Sequence, residues 1–437
     1  MNPDEPIVPG QQRRQWTTLT RVTFRFCFVY FGLFCLTNQI FSSMFAFPDA
    51  EVPDLSTHWP VRQIVVWTAS HVFHVKQPMV YTGSGSGDKT FDWVLTFCLL
   101  VFAAVATLVW SAVDRKRQEY ATLYKWFRVA MRFALASQMI VYGMDKAIPL
   151  QMPSPYLTRL LEPSGNMSPM GVLWFSIGAS PAYEIFAGCA ELLGGVLLIL
   201  PRTTMFGALV CLADMIQVFM LNMTYDVPVK LFSFHLIVMA LFLLAPGLRG
   251  MAGFFFNRET RALVEPQVFR TRRANRIALA LQVTFGLWLV GLNIYGARVG
   301  WRTYGQGSPK SALYGIWNVE QLTIDGANRQ PLLNDNQRWR RVIFDFPTAV
   351  TFQRMDDSFA WYGASVNPKD RTVALTKGSD PKWKASLSFE RPANDRLTLN
   401  GKMDGHEVSL QLRLFDHKKY QLWSRGFHWV QEYPFNR

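Results

Sequence analysis

A helical membrane bundle followed by a small closed all-β barrel is the fold class this sequence predicts, and three observations predict it. Half of the 437 residues are hydrophobic and only 17% are charged, and the apolar residues are bunched into runs of about twenty, the length that crosses a hydrocarbon core as a helix. Lysine and arginine gather in alternate loops between these runs. The last ~140 residues change character, becoming rich in Asp, Lys, Arg and Asn with alternating β-formers.

The apolar runs predict seven spans, at residues 23–47, 92–113, 126–146, 181–200, 203–222, 229–246 and 276–297. Arg13, Arg14, Arg21 and Arg25 lead into the first, and Arg115, Lys116, Arg117 and Lys125 separate the second from the third. Arg249, Arg258, Arg261, Arg270, Arg272, Arg273 and Arg276 lie between the sixth and seventh. The positive-inside rule then places the N-terminus in the cytoplasm and the C-terminal body outside. The first run reads as a retained signal anchor, because a long polar stretch precedes it and Met44-Phe45-Ala46-Phe47 is a poor cleavage site. In the loop that follows, the aromatic stretch Trp59 to Val75 is expected on the outer membrane surface, and Gly83-Ser84-Gly85-Ser86-Gly87 reads as a flexible linker. The expected domains are 1–118 (anchor, two helices and long loop), 119–250 (membrane core), 251–297 (basic loop and last helix) and 298–437 (barrel).

A net charge of +14 is the usual footprint of phosphate binding. Here the basic clusters fall on the expected cytoplasmic face, where they match anionic lipid headgroups, so membrane lipids rather than nucleic acid are the expected partners. All five cysteines, Cys27, Cys35, Cys98, Cys189 and Cys211, lie in apolar runs without a Cys-x-x-Cys pair, which disfavours a thiol relay. Paired imidazoles for a transmembrane haem are missing, since His235 alone lies in a span. His58, His71 and His74 sit on the outer stretch without a carboxylate or thiolate to complete a metal set, so no metal is expected. No phosphate loop, nucleophile elbow or His-Glu-x-x-His appears.

Ionisable side chains inside a span cost several kcal/mol unless they face a partner or a wet cavity, so they mark candidate sites. Glu184 and Glu191 lie two turns apart on one face of the fourth span, Asp214 on the fifth, His235 on the sixth and Gln138 on the third. At ~1.5 Å per residue, all fall in the outer half of one bundle. Lys146, Tyr183, Asn222, Tyr225, Asp226 and Lys230 sit at its mouth. Gly188, Gly194 and Gly195 predict close helix approach beside Glu191. Two readings stay open: the groups satisfy one another as polar glue between helices, or they form a pocket for a small polar headgroup or for protons.

Several of these residues carry a resemblance. Tyr142-Gly143-Met144-Asp145-Lys146, then Glu191-Leu192-Leu193-Gly194-Gly195 with Arg202-Thr203-Thr204, then Leu221-Asn222-Met223-Thr224-Tyr225-Asp226-Val227-Pro228-Val229-Lys230, Phe234-His235 and Leu243-Leu244-Ala245-Pro246 resemble the DoxX-like family of bacterial four-helix membrane proteins. The resemblance covers residues 120–250, about a third of the chain. It implies a four-helix core and a link to membrane redox work, with quinone as the ligand or a redox protein as the partner. The chain departs from that pattern in having three further spans and no redox cysteine pair.

Strands are expected at 314–320, 339–346, 349–355, 358–366, 371–377, 384–390, 396–402, 406–414 and 420–425, with turns at Asp325-Gly326 and Asp404-Gly405. Closure into a barrel would remove their sticky edges. Gly315 and Trp317 on the first strand and Arg425 on the last resemble the lipocalin arrangement, in which that tryptophan packs against a late arginine. The expectation is thus a bacterial inner-membrane protein whose DoxX-like bundle holds an outward-facing polar site for quinone or another lipid-like ligand. Glu191, Asp214 and His235 would handle protons or headgroup hydrogen bonds, with Lys146 and Lys230 at the entrance. The alternative is a non-catalytic scaffold or carrier whose lipocalin-like domain binds a hydrophobic ligand or a periplasmic protein.

Overall fold

The computed structural model describes residues 16–45, 52, 54–257 and 267–436. Arg13, Arg14, Arg258, Arg261 and the pair Ala46-Phe47 lie outside the described residues. Two compact units divide the chain: one holds residues 1–151 and 185–298, the other 152–184 and 299–437.

The first unit is helical. Its elements are α1 (Thr18–Thr37), α2 (Gln39–Met44), α3 (Val61–His71), α4 (Thr90–Val113) and α5 (Ala121–Ala147). After α6 (Pro169–Gly178), which belongs to the other unit, follow α7 (Pro181–Ile199), α8 (Thr204–Thr224), α9 (Lys230–Leu244), α10 (Leu248–Phe255) and α11 (Arg272–Thr303), with residues 181–184 of α7 and 299–303 of α11 counted in the other unit. Among the described residues six helices are long and apolar enough to cross a membrane: 18–37, 90–113, 181–199, 201–224, 230–253 and 272–303. The chain is therefore a multi-pass membrane protein with lipid around its helices. The remaining expected span, 126–146, is α5, which carries Arg128, Arg132, Asp145 and Lys146. It tolerates them because it is the protected centre of the bundle, with fifteen of its 27 residues buried.

The first span is not one helix. Asn38 takes an extended backbone conformation (φ −115°, ψ 172°) between α1 and α2. This break turns Gln39 toward α5. Within α1, Arg25 is buried, and its guanidinium donates to Tyr120 Oη (3.0 and 2.6 Å), Ser111 Oγ (2.8 Å) and the Asp114 carbonyl (3.0 Å). An aromatic cluster of Trp16, Phe24, Trp110 and Tyr120 surrounds it. Arg25 thus acts as a structural anchor as well as a basic flank. The aromatic stretch after the first span forms α3, with Val65, Thr68 and Ala69 turned inward and Trp59, Ile64 and Trp67 exposed nearby. His58 and His71 use their Nδ1 atoms on carbonyls of their own turns, Asp54 and Trp67. The expected Gly83–Gly87 linker is tied down at its end: the Gly87 amide donates to the Pro228 carbonyl (2.8 Å).

The second unit is an antiparallel barrel of strands β1 (Gly315–Ile324), β2 (Ala327–Asn328), β3 (Trp339–Phe346), β4 (Ala349–Arg354), β5 (Phe359–Asn367), β6 (Thr372–Lys377), β7 (Asp380–Ala393), β8 (Arg396–Met403) and β9 (His406–Phe415). Each of β3 to β9 pairs with its sequence neighbour, and β1 pairs with both β3 and β9, from Ile316 opposite Phe415 to Ile324 opposite Val408. That closes eight strands, with β2 as a two-residue extension of β1. The turns at Asp325-Gly326 (φ 49° and 79°) and Asp404-Gly405 (φ 51° and 87°) have the paired positive φ that fits the twist of a tight hairpin. Inward residues form one packed cluster from Trp317 to Leu412, crossed by the aromatic run Trp339, Phe352, Tyr362 and Trp383. A fold of membrane helices plus a C-terminal lipocalin-like barrel is thus what the chain adopts.

Two expectations fail. Residues 420–425 are not a strand: a 3-10 turn, His417–Lys419, leads into the short helix α12 (Gln421–Ser424). Closure through β1 and β9 leaves no edge for another strand. In addition, residues 152–184 do not belong with the membrane core in which the 119–250 division placed them. Leu157 buries itself against Ile316 and Ile343 on the outer face of β1 and β3. The Thr158 amide and hydroxyl donate to Asp345 Oδ2 at 3.1 and 3.2 Å.

Candidate functional site

The buried centre of the helical unit is built by glycines. A Cβ on Gly143 of α5 would stand 2.8 Å from the Leu192 amide, and one on Gly188 of α7 would stand 2.6 Å from the Gly143 carbonyl, so these two backbones touch. Gly194 performs the same role between α7 and α8, where a Cβ would meet Cys211 Sγ at 2.8 Å. Close approach lets a long side chain on one helix reach a carboxylate on the next. Lys146 Nζ lies 2.7 and 2.8 Å from the two oxygens of Glu191, and the pair is buried, 7% and 2% exposed. Asp214 on α8 lies in electrostatic range of both Glu191 and Lys146 without a hydrogen bond to either. Its Oδ2 is buried with no hydrogen-bond partner among the described residues.

A polar relay continues from this trio toward the break in the first span. The ammonium of Lys146 lies 5.9 Å from the centre of the Tyr142 ring. Gln39 Nε2 donates to Tyr142 Oη (2.7 Å) and to Gln138 Oε1 (3.1 Å), and Gln138 Nε2 donates to Ser43 Oγ (2.5 Å). Gln39 did not stand out in the sequence. The signal was Asn38-Gln39, two adjacent amides inside an apolar run.

The other candidates are placed elsewhere. His235 is fully engaged: its Nδ1 meets the Leu231 carbonyl (2.7 Å), which leaves Nε2 to accept from Tyr30 Oη (2.6 Å), and its ring stacks on Phe34 at 4.0 Å. Glu184 accepts the Met152 amide at 2.9 Å, inside the second unit. Asn222 donates to Ser233 Oγ (3.0 Å), shaping the turn between α8 and α9 in which Tyr225 follows the last residue of α8. Asp226, with φ 52°, is exposed and pairs with Lys230 at 2.8 Å. Asp88, which sequence reasoning passed over, caps α9: its two oxygens accept the Lys230 and Leu231 amides, both at 2.9 Å.

In the barrel, Trp317 is fully buried and donates Nε1–H to the Leu313 carbonyl at 2.9 Å. Gly315, at φ 148°, leaves room that a Cβ would contest with Leu414. The arginine over the Trp317 ring is Arg391, 5.6 Å from its centre. Arg425, expected in that place, instead follows α12, where it bonds Gln431 (2.9 Å) and lies over Phe435 (4.4 Å). The loss of the ninth expected strand removes the position from which it would have reached the tryptophan.

No protein-family model matches the chain, and no solved structure matches it. Over 124 residues, 28% of its length, the sequence is 32% identical to the uncharacterized protein YwoB of Bacillus subtilis (strain 168), of which the match covers 79%. Through that segment, the chain belongs to the family of YwoB.

Proposed function

We propose that this is a DoxX-like protein of the bacterial inner membrane, N-terminus in the cytoplasm and barrel outside, whose helical unit binds the polar head of a lipid-like ligand at Lys146, Glu191 and Asp214. One observation carries the reading. Lys146 and Glu191 form a buried ion pair between apolar helices, and Asp214, in electrostatic range of both, keeps a buried oxygen without a donor among the described residues. Such an acceptor is costly to bury. A ligand hydroxyl supplies the missing donor, and a protonated Asp214 could in turn donate to a ligand carbonyl. A quinol and a quinone present those two groups on an apolar body, which makes the quinone class the favoured ligand and a membrane redox process its setting.

The test is native mass spectrometry with lipid extraction on the detergent-purified chain, comparing wild type with Asp214→Asn and Glu191→Gln. A quinone or other lipid retained by wild type and lost from both variants supports the site. Retention by all three proteins removes it. A second reading is favoured by the bidentate Lys146–Glu191 pair, which satisfies itself as polar glue would. The chain would then be a scaffold or carrier, with the lipocalin-like barrel holding the hydrophobic ligand or protein partner. In that case both variants lose stability, and what the protein retains is unchanged.

A further inference from the structure

At one end of the barrel the chain leaves large aromatic side chains uncovered. They belong to residues 426–436, which follow α12. Trp429 is 91% exposed and Tyr433 84%, and Phe427 and Val430 are exposed beside them. Arg425 organises the segment: its guanidinium donates to Gln431 Oε1 at 2.9 Å and lies 4.4 Å from the centre of the Phe435 ring. Phe427 and Trp429 meet edge to face at 5.0 Å. These contacts fold the segment on itself and leave its apolar side chains without cover, the mark of an interaction surface.

The strand pairing shows which end of the barrel carries it. β9 runs antiparallel to β1 with Phe415 opposite Ile316, so the last residues of β9 lie beside the first of β1. The flanking rings repeat that neighbourhood: Tyr314 meets His417 edge to face at 6.2 Å, and Phe415 lies 5.2 Å from Tyr420. The start of β1 is in turn fed by a membrane span. α11 ends at Thr303, and its closing residues 299–303 are counted in the same compact unit as the barrel. Between that span and β1 the chain is drawn in by turns, in which the Gly307 and Ser308 amides bond back to the Trp301 and Gly305 carbonyls. The aromatic segment therefore emerges from the end of the barrel that is tied to the bilayer.

The geometry points to the phospholipid bilayer as the partner: residues 426–436 lie in its headgroup layer, at the level where α11 leaves the hydrocarbon, and hold the barrel to the membrane by its span-fed end. Tryptophan and tyrosine, apolar in body and polar at one tip, gather in that layer. Trp301 and Tyr304, both exposed, already mark it at the end of α11. Charge agrees with the assignment. Across 299–314 and 415–436, Arg302, Lys310, Lys418, Lys419 and Arg425 stand against only Asp416 and Glu432, a basic balance that suits lipid phosphates. A soluble protein partner has no reason to prefer the span-fed end, whereas a membrane surface reaches that end alone. The assignment is independent of the role of the Lys146 cluster.

The experiment is photolabelling of the full chain in nanodiscs of phosphatidylcholine and phosphatidylglycerol that contain a lipid with a diazirine at the top of its acyl chain. Digestion and mass spectrometry locate the label. Wild type is compared with a Trp429→Ser/Tyr433→Ser double variant, which removes two exposed rings and leaves the barrel core untouched. Label should fall on 426–436 as it does on 301–304, and the variant should lose it from 426–436 alone. The outward face of β7, at Lys384, Ser386 and Ser388, should stay unlabelled in both. Label on 426–436 no higher than on β7 would overturn the proposal. Undiminished label in the variant would also overturn it, by showing that the two rings do not hold the segment in lipid. In vesicles carrying several copies, a lysine-reactive cross-link from Lys418 or Lys419 to the same residues of another copy, without lipid label, would give the surface to a second copy instead.

Discussion

Strand β7 sends Trp383, Ala385, Leu387 and Phe389 into the barrel and Lys384, Ser386, Ser388 and Glu390 out of it. Helices α4 and α11 do the reverse, turning Phe102, Leu108, Leu281 and Leu287 outward, while Lys146, Glu191, Gln138 and Arg128 are buried among the neighbouring helices. Each unit hides what its surroundings would not accept. For the barrel those surroundings are water, so burial follows a period of two and says little about function. For the bundle they are hydrocarbon, so each buried polar group has a local reason, and the group without a partner becomes informative.

The largest expected effect comes from breaking that rule on the two sides. Lys146→Met or Glu191→Leu alone leaves a buried charge uncompensated and should cost ~3–5 kcal/mol of stability, whereas the double variant, apolar at both positions, should return close to wild type. The exposed barrel pair Arg413 and Glu320, 3.6 Å apart, should cost less than about 1 kcal/mol when either partner is removed. Thermal unfolding of the detergent-purified chain measures both. If the single bundle variants cost no more than the barrel variants, the Lys146–Glu191 pair is wet, and the argument for an intramembrane site loses its energetic basis.

The same asymmetry governs what could be read from the sequence. Span positions were legible because twenty-residue apolar runs leave few alternatives, and eight strands were legible from alternation and Asp-Gly turns. Lys146, Glu191 and Asp214 stood out because charge is rare in such runs. Gln39 did not, because only the helix break at Asn38 turns it toward Tyr142. Asp88 was hidden at the end of a Gly-Ser run and finds its helix 142 residues later. Residues 152–184 went to the wrong body for a similar reason, since the contact of Leu157 with Ile316 and Ile343 has no local signature. Arg425 was assigned by its place at the end of the chain, whereas the arginine that covers Trp317 comes from the end of β7.

A middle-sized effect tests whether a long-range cap equals a local one. Asp88 holds the first amides of α9 from a distant loop, while Ser168 caps α6 from the adjacent position. Either residue changed to Ala should cost ~1 kcal/mol by loss of the cap. Only Asp88→Ala should also release the 83–89 loop, because Asp88 ties that loop to α9 and lies 3.8 Å from Lys230 Nζ. Hydrogen exchange would show faster amide exchange at Lys230 and Leu231 and throughout the loop. Changes confined to Lys230 and Leu231 would make the loop's position independent of Asp88.

The smallest effect separates two barrel carboxylates by the sign of their pH dependence. His406 and then the Glu407 amide hold the Asp325 carboxyl below its ordinary range, with Arg329 adding to the effect. A depressed folded value means that the unfolded chain takes up the proton first. Asp325 therefore contributes stability above its unfolded value, and that contribution is lost as the pH falls through the folded one. Asp345 works in the opposite direction: burial beneath the 157–158 segment raises it, and hydrogen bonds from Thr158 and Leu157 only partly offset this. The folded chain then holds its proton longer, so the Asp345 contribution weakens as pH rises through its window and recovers on acidification. Melting temperature followed across the carboxylate range should show a shallower acid loss in Asp325→Asn and a steeper one in Asp345→Asn than in wild type. The same slope in both variants would mean that neither carboxyl differs between the folded and unfolded chain, and that the 157–158 segment does not bury Asp345 in solution.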